Sequence, residues 1–250
     1  MTLTYWRPQN GLNFGDSLSL IIVQLMLASR GLTLLDETAG NHQLLAIGSI
    51  LHLAKSGAVV WGSGVNGKVA TDRHGFSTLD VRAVRGPLTR DFLRKRGIAV
   101  PEIYGDPALL LPHLAKQRFN AAQREMPAFV PNLNDLPFVG QWGNNAIATI
   151  SPMQSWNKCV SDILSRPLIL ASSLHGIIVA EAFGIPARYL RLTENEHLFK
   201  YRDYYEGTGR PDFSYARSFE EAMEMGGERP PIFDPKPLLD AFPFDLWMTK

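Results

Sequence analysis

This sequence has almost no cysteine. Cys159 is alone among 250 residues, so no disulfide forms within the chain and a reducing compartment is its natural home. It also lacks a charge excess: 25 Lys and Arg against 24 Asp and Glu give +1, no basis for a nucleic-acid or anionic-membrane partner. No apolar run approaches the roughly 20 residues of a membrane helix. The start, Met1 to Arg7, lacks the basic and apolar regions of a signal peptide, so a cytoplasmic protein is expected. His42, His52, His74, His113, His175 and His197 show no paired ligand spacing, so no metal is expected. Phosphate-loop, dinucleotide and Gly-x-Ser-x-Gly signatures are all missing, which argues against NAD and against a serine nucleophile. Repeats and low-complexity tracts are absent as well.

What is present is an ordinary apolar fraction of 45% and an alternation of short apolar runs with helical patterns. Strands are expected at Leu3 to Trp6, Leu32 to Leu35, Leu44 to Ile47, Ala58 to Trp61, Asp80 to Val84 and Ile103 to Tyr104. Helices are expected at about Leu18 to Arg30 and from Pro87 to near Gly97, where Pro87 fits a first turn. This alternation implies βαβ units and a mostly parallel sheet. The polar stretch from His113 to Pro127 reads as a linker. A second alternating block follows: strands at Ala128 to Val130, Ala146 to Ile150, Leu168 to Ala171 and Ala187 to Leu190, with helices at about Gln154 to Ser165 and Leu174 to Phe183. Lys200 to Arg217 reads as loop, and Ser218 to Glu221 as a capping box. The expected division is 1–115, 127–217 and a tail, 218–250, that packs back on the body.

The most informative stretch runs from Ala171 to Pro186. An apolar strand ends, Ser172 and Ser173 cap a helix, and Gly184 with Pro186 stop it. His175 therefore lies in a first helical turn at the C-terminal end of a strand, where open α/β sheets hold ligands and helix N–H groups attract anions. A structural His is the competing reading. The loop Asn10-Gly11-Leu12-Asn13-Phe14-Gly15-Asp16 enters the first helix, with Asp16 expected as its cap. It reads either as a ligand cradle or as a tight connection. Gly62-Ser63-Gly64 is a wall that touches ligand, or a turn. Arg82 and Arg85 flank the turn into the Pro87 helix; a solvated side chain is the expected reading of either one alone, and of the two the position after a strand favours Arg85 as an anion ligand. Gly105-Asp106-Pro107 reads as a turn.

Taken in order, Asn13-Phe14-Gly15-Asp16, Gly62-Ser63-Gly64, Val84 to Thr89, Tyr104 to Ala108 and Ser172 to Pro186 resemble the polysaccharide pyruvyl transferase family, in particular its exopolysaccharide ketal-pyruvate branch. Many members carry Arg-Leu-His where this chain has Ser173-Leu174-His175, which moves an anion contact to another residue such as Arg85 or Arg188. The resemblance implies an α/β protein of two Rossmann-like halves facing a cleft, as in GT-B glycosyltransferases. It implies phosphoenolpyruvate as donor, with no further cofactor, and a saccharide as acceptor. A lipid-linked acceptor would bring the enzyme to the inner membrane face. His175 is then the general acid or a phosphate ligand, and Asp16 the base or orienter on the acceptor side. Donor contacts fall to Arg85, Ser172, Ser173, His175, Gly62, Ser63 and Gly64, and acceptor contacts to Asn13, Gly15 and Asp16. Two other readings stay open: a GT-B glycosyltransferase using a nucleotide sugar, and a non-catalytic sugar-binding relative.

Overall fold

The short apolar runs bury on both faces, as strands of parallel sheets do. In a computed structural model that describes residues 1–8, 11–119, 125–142 and 147–247, they form two separate sheets. The first joins β1 (Thr2–Thr4), β2 (Gln43–Leu45), β3 (Ala58–Trp61) and β4 (Leu79–Ala83) in that order, all parallel. With it go α1 (Phe14–Ala28), α2 (Pro87–Arg94) and α3 (Leu111–Ala115). The second sheet uses β5 (Ala128–Val130), β6 (Ala148–Thr149), β7 (Ile169–Ala171), β8 (Ala187–Leu190) and β9 (Tyr215–Ala216). Its order is β6-β5-β7-β8-β9, again all parallel. With it go α4 (Trp156–Leu164), α5 (Leu174–Ala182), α6 (Phe199–Gly207), α7 (Phe219–Met225) and, in the C-terminal segment, α8 (Lys236–Asp240).

The halves share one hydrophobic cluster, which runs from Phe14 and Ile22 of α1 through Ile177 and Val179 of α5 to Trp247. α5 is apolar almost all round, and Leu174 and Gly176 to Glu181 are all buried. Burial of Ile177 and Ile178 contributes about 1.5–3 kcal/mol each. Glu181, the charged exception, is neutralised by Arg210 at 2.7 Å and accepts from the Tyr204 hydroxyl at 2.6 Å. Of the C-terminal residues, α7 and Glu228 pack on the second sheet, while α8 and Asp245 pack on the first half. The Trp61 indole donates to the Leu238 carbonyl at 2.8 Å, and Arg82 pairs with Asp245 at 2.9 Å. Among the described residues no helix is long and apolar enough to cross a membrane.

Several expectations are corrected. Leu32 to Leu35 is not a strand: Asp36 accepts from the Thr33 amide at 2.7 Å to make a turn, and Leu35 is exposed. Ile103 and Tyr104 contribute only a single bridge, from Tyr104 to Val84. The His113 to Pro127 linker begins inside α3, whose Leu111 and Ala115 are buried; residues 120–124 lie outside the described ones, as do Asn10, Ala146 and 248–250. The stretch read as loop, Lys200 to Arg217, holds α6 and β9. Tyr201, Tyr204 and Tyr205 recur at helical spacing and are all fully buried, so their rings, not their hydroxyls, decide the structure.

Candidate active site

The N-termini of α1 and α5 meet at a cavity of about 420 Å³ between the two halves. On the first side Asn13, not Asp16, caps α1, because its amide serves both ends of the first turn. Its oxygen accepts from the Gly15 amide at 3.1 Å, and its nitrogen donates to Asp16 at 2.6 Å. Asp16 becomes a first-turn residue whose carboxylate faces the cavity. Burial pushes its pKa up to about 6, although His175, Asn13 and Lys200 each favour the charged form. Gly15 matters for the space it leaves: a Cβ there would stand 2.4 Å from Nδ1 of His175 and 2.8 Å from its Cβ.

On the other side Ser173 caps α5 by accepting from the Gly176 amide at 3.2 Å. The Ser172 and Ser173 amides both donate to the Val130 carbonyl at 3.1 Å, fixing the helix on β5. His175 follows in the first turn, its side chain 13% exposed. Its Nε2 is buried without a hydrogen-bond partner and lies 3.6 Å from Asp106, a carboxylate 1% exposed. Asp106 accepts from the Ala108 amide at 3.0 Å, and Gly105 takes φ +144 to turn the chain into this position. With Nε2 turned toward Asp106, Nδ1, over Gly15, is the nitrogen left to meet a ligand.

Two lysines complete the walls. Lys200, in the first turn of α6, pairs with Glu196 at 2.5 Å, and Lys68 from the first half pairs with the same carboxylate at 2.7 Å. Burial pushes the Lys200 ammonium below its usual range, with Glu196 opposing. Burial pushes Glu196 up, but the lysines outweigh it and hold the carboxyl below its ordinary range. Trp6, half exposed, stands at the wall with Asn66, Asn132 and Asn134. The sequence reading missed Lys68, Lys200 and Glu196 and took Asp106 as a turn only. The recurrence of tyrosines after Leu198 was the one signal that could have placed Lys200 on a helix.

Of the expected residues, Asn13, Asp16, Ser173 and His175 line the cavity, with Gly15 beneath the imidazole. The others stand behind the wall. The Ser172 hydroxyl accepts from the Asn132 amide at 3.0 Å, and its carbonyl accepts from the Tyr201 hydroxyl at 2.6 Å. Gly62, at φ +89, leaves room for Pro107, and the Ser63 hydroxyl donates to the Gly48 carbonyl at 2.8 Å. Gly64 leaves room for the Arg85 guanidinium. Arg85 itself is 1% exposed and ties the halves together: it pairs with buried Asp203 of α6 at 2.9 Å and donates to Val65 and Ser49. Only through Ser49 does it reach the cavity. Arg188 is likewise spent, on Glu228 at 2.6 Å and on the Gly226 carbonyl. Among the described residues, the lysines and arginines that line the cavity are Lys68 and Lys200.

The cavity thus gathers His175, Asp16 and two lysines at two helix N-termini. The chain is 29% identical over 235 residues to the succinoglycan biosynthesis protein ExoV of Rhizobium meliloti (strain 1021), covering 89% of this chain and 70% of that protein. No solved structure matches it. The family described as polysaccharide pyruvyl transferase matches residues 28–192, a span that includes Asp106 and His175 and stops before Lys200. Since that span is well over half of its length, the chain belongs to the polysaccharide pyruvyl transferase family.

Proposed function

We propose that this protein moves the pyruvate unit of phosphoenolpyruvate onto two hydroxyls of a saccharide, as a cyclic ketal, in exopolysaccharide biosynthesis. The observation that carries the reading is His175, set between Asp106 and Asp16 where two helix N-termini meet. The donor carries a phosphate and a carboxylate, and the amides opening α5 with Lys200 and Lys68 supply matching charge. The two halves are taken to face each other about the cleft in a GT-B-like way, and the reaction is assigned to the cytoplasm. A lipid-linked acceptor would be met at the inner membrane face.

In this mechanism the His175 imidazolium gives a proton from Nδ1 to the enol methylene, and C2 becomes an oxocarbenium-like centre. One saccharide hydroxyl attacks C2 as Asp16, ionised above pH about 6, takes its proton. The bond from C2 to the phosphate oxygen then breaks, and the second hydroxyl adds to C2 to close the ketal. Of the two hydroxyl protons, one replaces that given to the methylene and the other leaves on the phosphate. Asp106 acts through His175 by holding the ring with Nδ1 toward the donor.

Calorimetry with phosphoenolpyruvate, UDP and GDP tests the reading. Saturable binding of phosphoenolpyruvate alone, lost in His175→Ala, is expected. Binding of a nucleotide in its place would move the protein to nucleotide-sugar chemistry.

A further inference from the structure

A second recess, about 560 Å³, opens on the first half beside the active-site cavity. His52 and Lys68 line both and form their common wall. The rest of its lining is Val69, Ala70 and Arg73, so it holds two fixed positive charges and no carboxylate. Arg73 is exposed, and among the described residues its side chain makes no ion pair or hydrogen bond. Asp72 shares its turn without lining the recess. The turn is pinned from behind by Arg96, which donates to the carbonyls of Thr71 at 3.2 Å and His74 at 2.6 Å. Arg96 stabilises the loop and leaves Arg73 unengaged. His52 adds a buried Nδ1 without a partner. Burial and neighbouring His74 lower the pKa of His52, so near neutral pH the positive charge of the recess comes from Lys68 and Arg73.

A guanidinium without a partner and a lysine shared with Glu196, around a recess that adjoins the proposed acceptor cavity, suit a ligand with negative charge at one end. We propose that this recess seats an oxyanion carried by the acceptor saccharide, either the carboxylate of a uronic acid or a phosphate ester. The sugar diol lies in the first cavity, and its anionic substituent reaches past His52 and Lys68 to Arg73. Arg73 supplies a planar fork for either oxyanion, while Lys68, already shared with Glu196, supplies the nearer charge. The acceptor's role rests on the pyruvyl-transfer reading; the anion selectivity of the recess does not.

The test is an NMR titration of the full chain with glucuronate, glucose 1-phosphate and glucose, following the His52 ring signals in wild type, Arg73→Gln and Arg73→Lys. Phosphoenolpyruvate affinity is measured on the same samples. The wild type is expected to prefer at least one anionic sugar over glucose by about tenfold at low salt, as charge-assisted hydrogen bonds predict. Arg73→Gln reduces that preference to about threefold or less with phosphoenolpyruvate affinity unchanged, and Arg73→Lys retains most of it. Preference for glucuronate alone assigns a carboxylate, and for glucose 1-phosphate alone a phosphate ester. Equal or absent binding of all three sugars, or a preference that survives Arg73→Gln, overturns the proposal. Anion preference without phosphoenolpyruvate binding overturns the pyruvyl-transfer reading and leaves the recess standing.

Discussion

Replacing Gly15 with alanine tests the geometry most sharply, because the added atom has nowhere to go. Its Cβ would lie 2.4 Å from Nδ1, 2.7 Å from Cγ and 2.8 Å from Cβ of His175. Comfortable contacts are about 3.5–4.0 Å, so the imidazole must give way by about 1 Å. Rotation about the His175 side chain does not relieve the clash with its own Cβ, so the start of α5 must shift too. Overpacking of this kind costs about 1–3 kcal/mol, offset by up to about 1 kcal/mol from replacing a helical glycine. At about 2–4 °C per kcal/mol for a chain of this size, the net loss of up to about 3 kcal/mol lowers Tm by up to about 12 °C. Activity suffers more, since a 1 Å misplacement of a catalytic group costs about 100-fold in rate. Differential scanning calorimetry and the transfer rate measure both, with Gly140→Ala, which meets nothing within 4 Å, as the control. Wild-type rate and Tm in Gly15→Ala would show that His175 is not held where the account puts it.

Further outcomes follow from the same geometry. Asp106→Asn is expected to lower kcat by about 10- to 100-fold with the KM for phosphoenolpyruvate near wild type, because the ring loses the carboxylate that orients it; a change in KM alone would contradict this. Asp16 has its folded pKa raised to about 6 from 3.8, so its charge costs stability, increasingly as pH rises through that window and fully above it. Asp16→Asn should therefore be inactive yet more stable by about 1–2 kcal/mol at pH 8, after allowance for solvent screening, and show little gain at pH 4; equal gains in melts at both pH values would refute the assignment. The kcat/KM of the wild type is expected to fall below pH about 6 as Asp16 takes up a proton. Asp203→Asn leaves the Arg85 charge buried without its partner and should cost about 3–5 kcal/mol in urea unfolding. A loss confined to substrate affinity would instead return Arg85 to the donor site.

The sequence reading succeeded where local chemistry decides the structure. Ala58–Trp61 is an uninterrupted apolar run closed by Gly62, and both it and Ala187–Leu190 are strands to the residue. The α5 segment carries its own cap in Ser173 and its own stop at Gly184, whose φ is +78. Local chemistry was ambiguous at α1, where Asn13 and Asp16 are both good caps and only the side-chain geometry chooses between them. It misled at α6, because tyrosine counts as polar in a pattern yet buries a large ring. At Arg85 the position after a strand was right, but what neutralises it is Asp203, 118 residues away in sequence. The pairing of Lys68 with Glu196 joins the two halves and was equally out of reach. The placement of His175 and Asp16 in first helical turns was legible because helix starts at strand ends are read locally. Asp106, their third partner, could not be assigned until the chain had folded back on itself.

The most direct measurement is a crystal structure with phosphoenolpyruvate bound. The account predicts its charged groups on the α5 N-terminus and Lys200, with the methylene carbon about 3–3.5 Å from His175 Nδ1. Phosphoenolpyruvate bound elsewhere, or with that carbon turned away from His175, would contradict it.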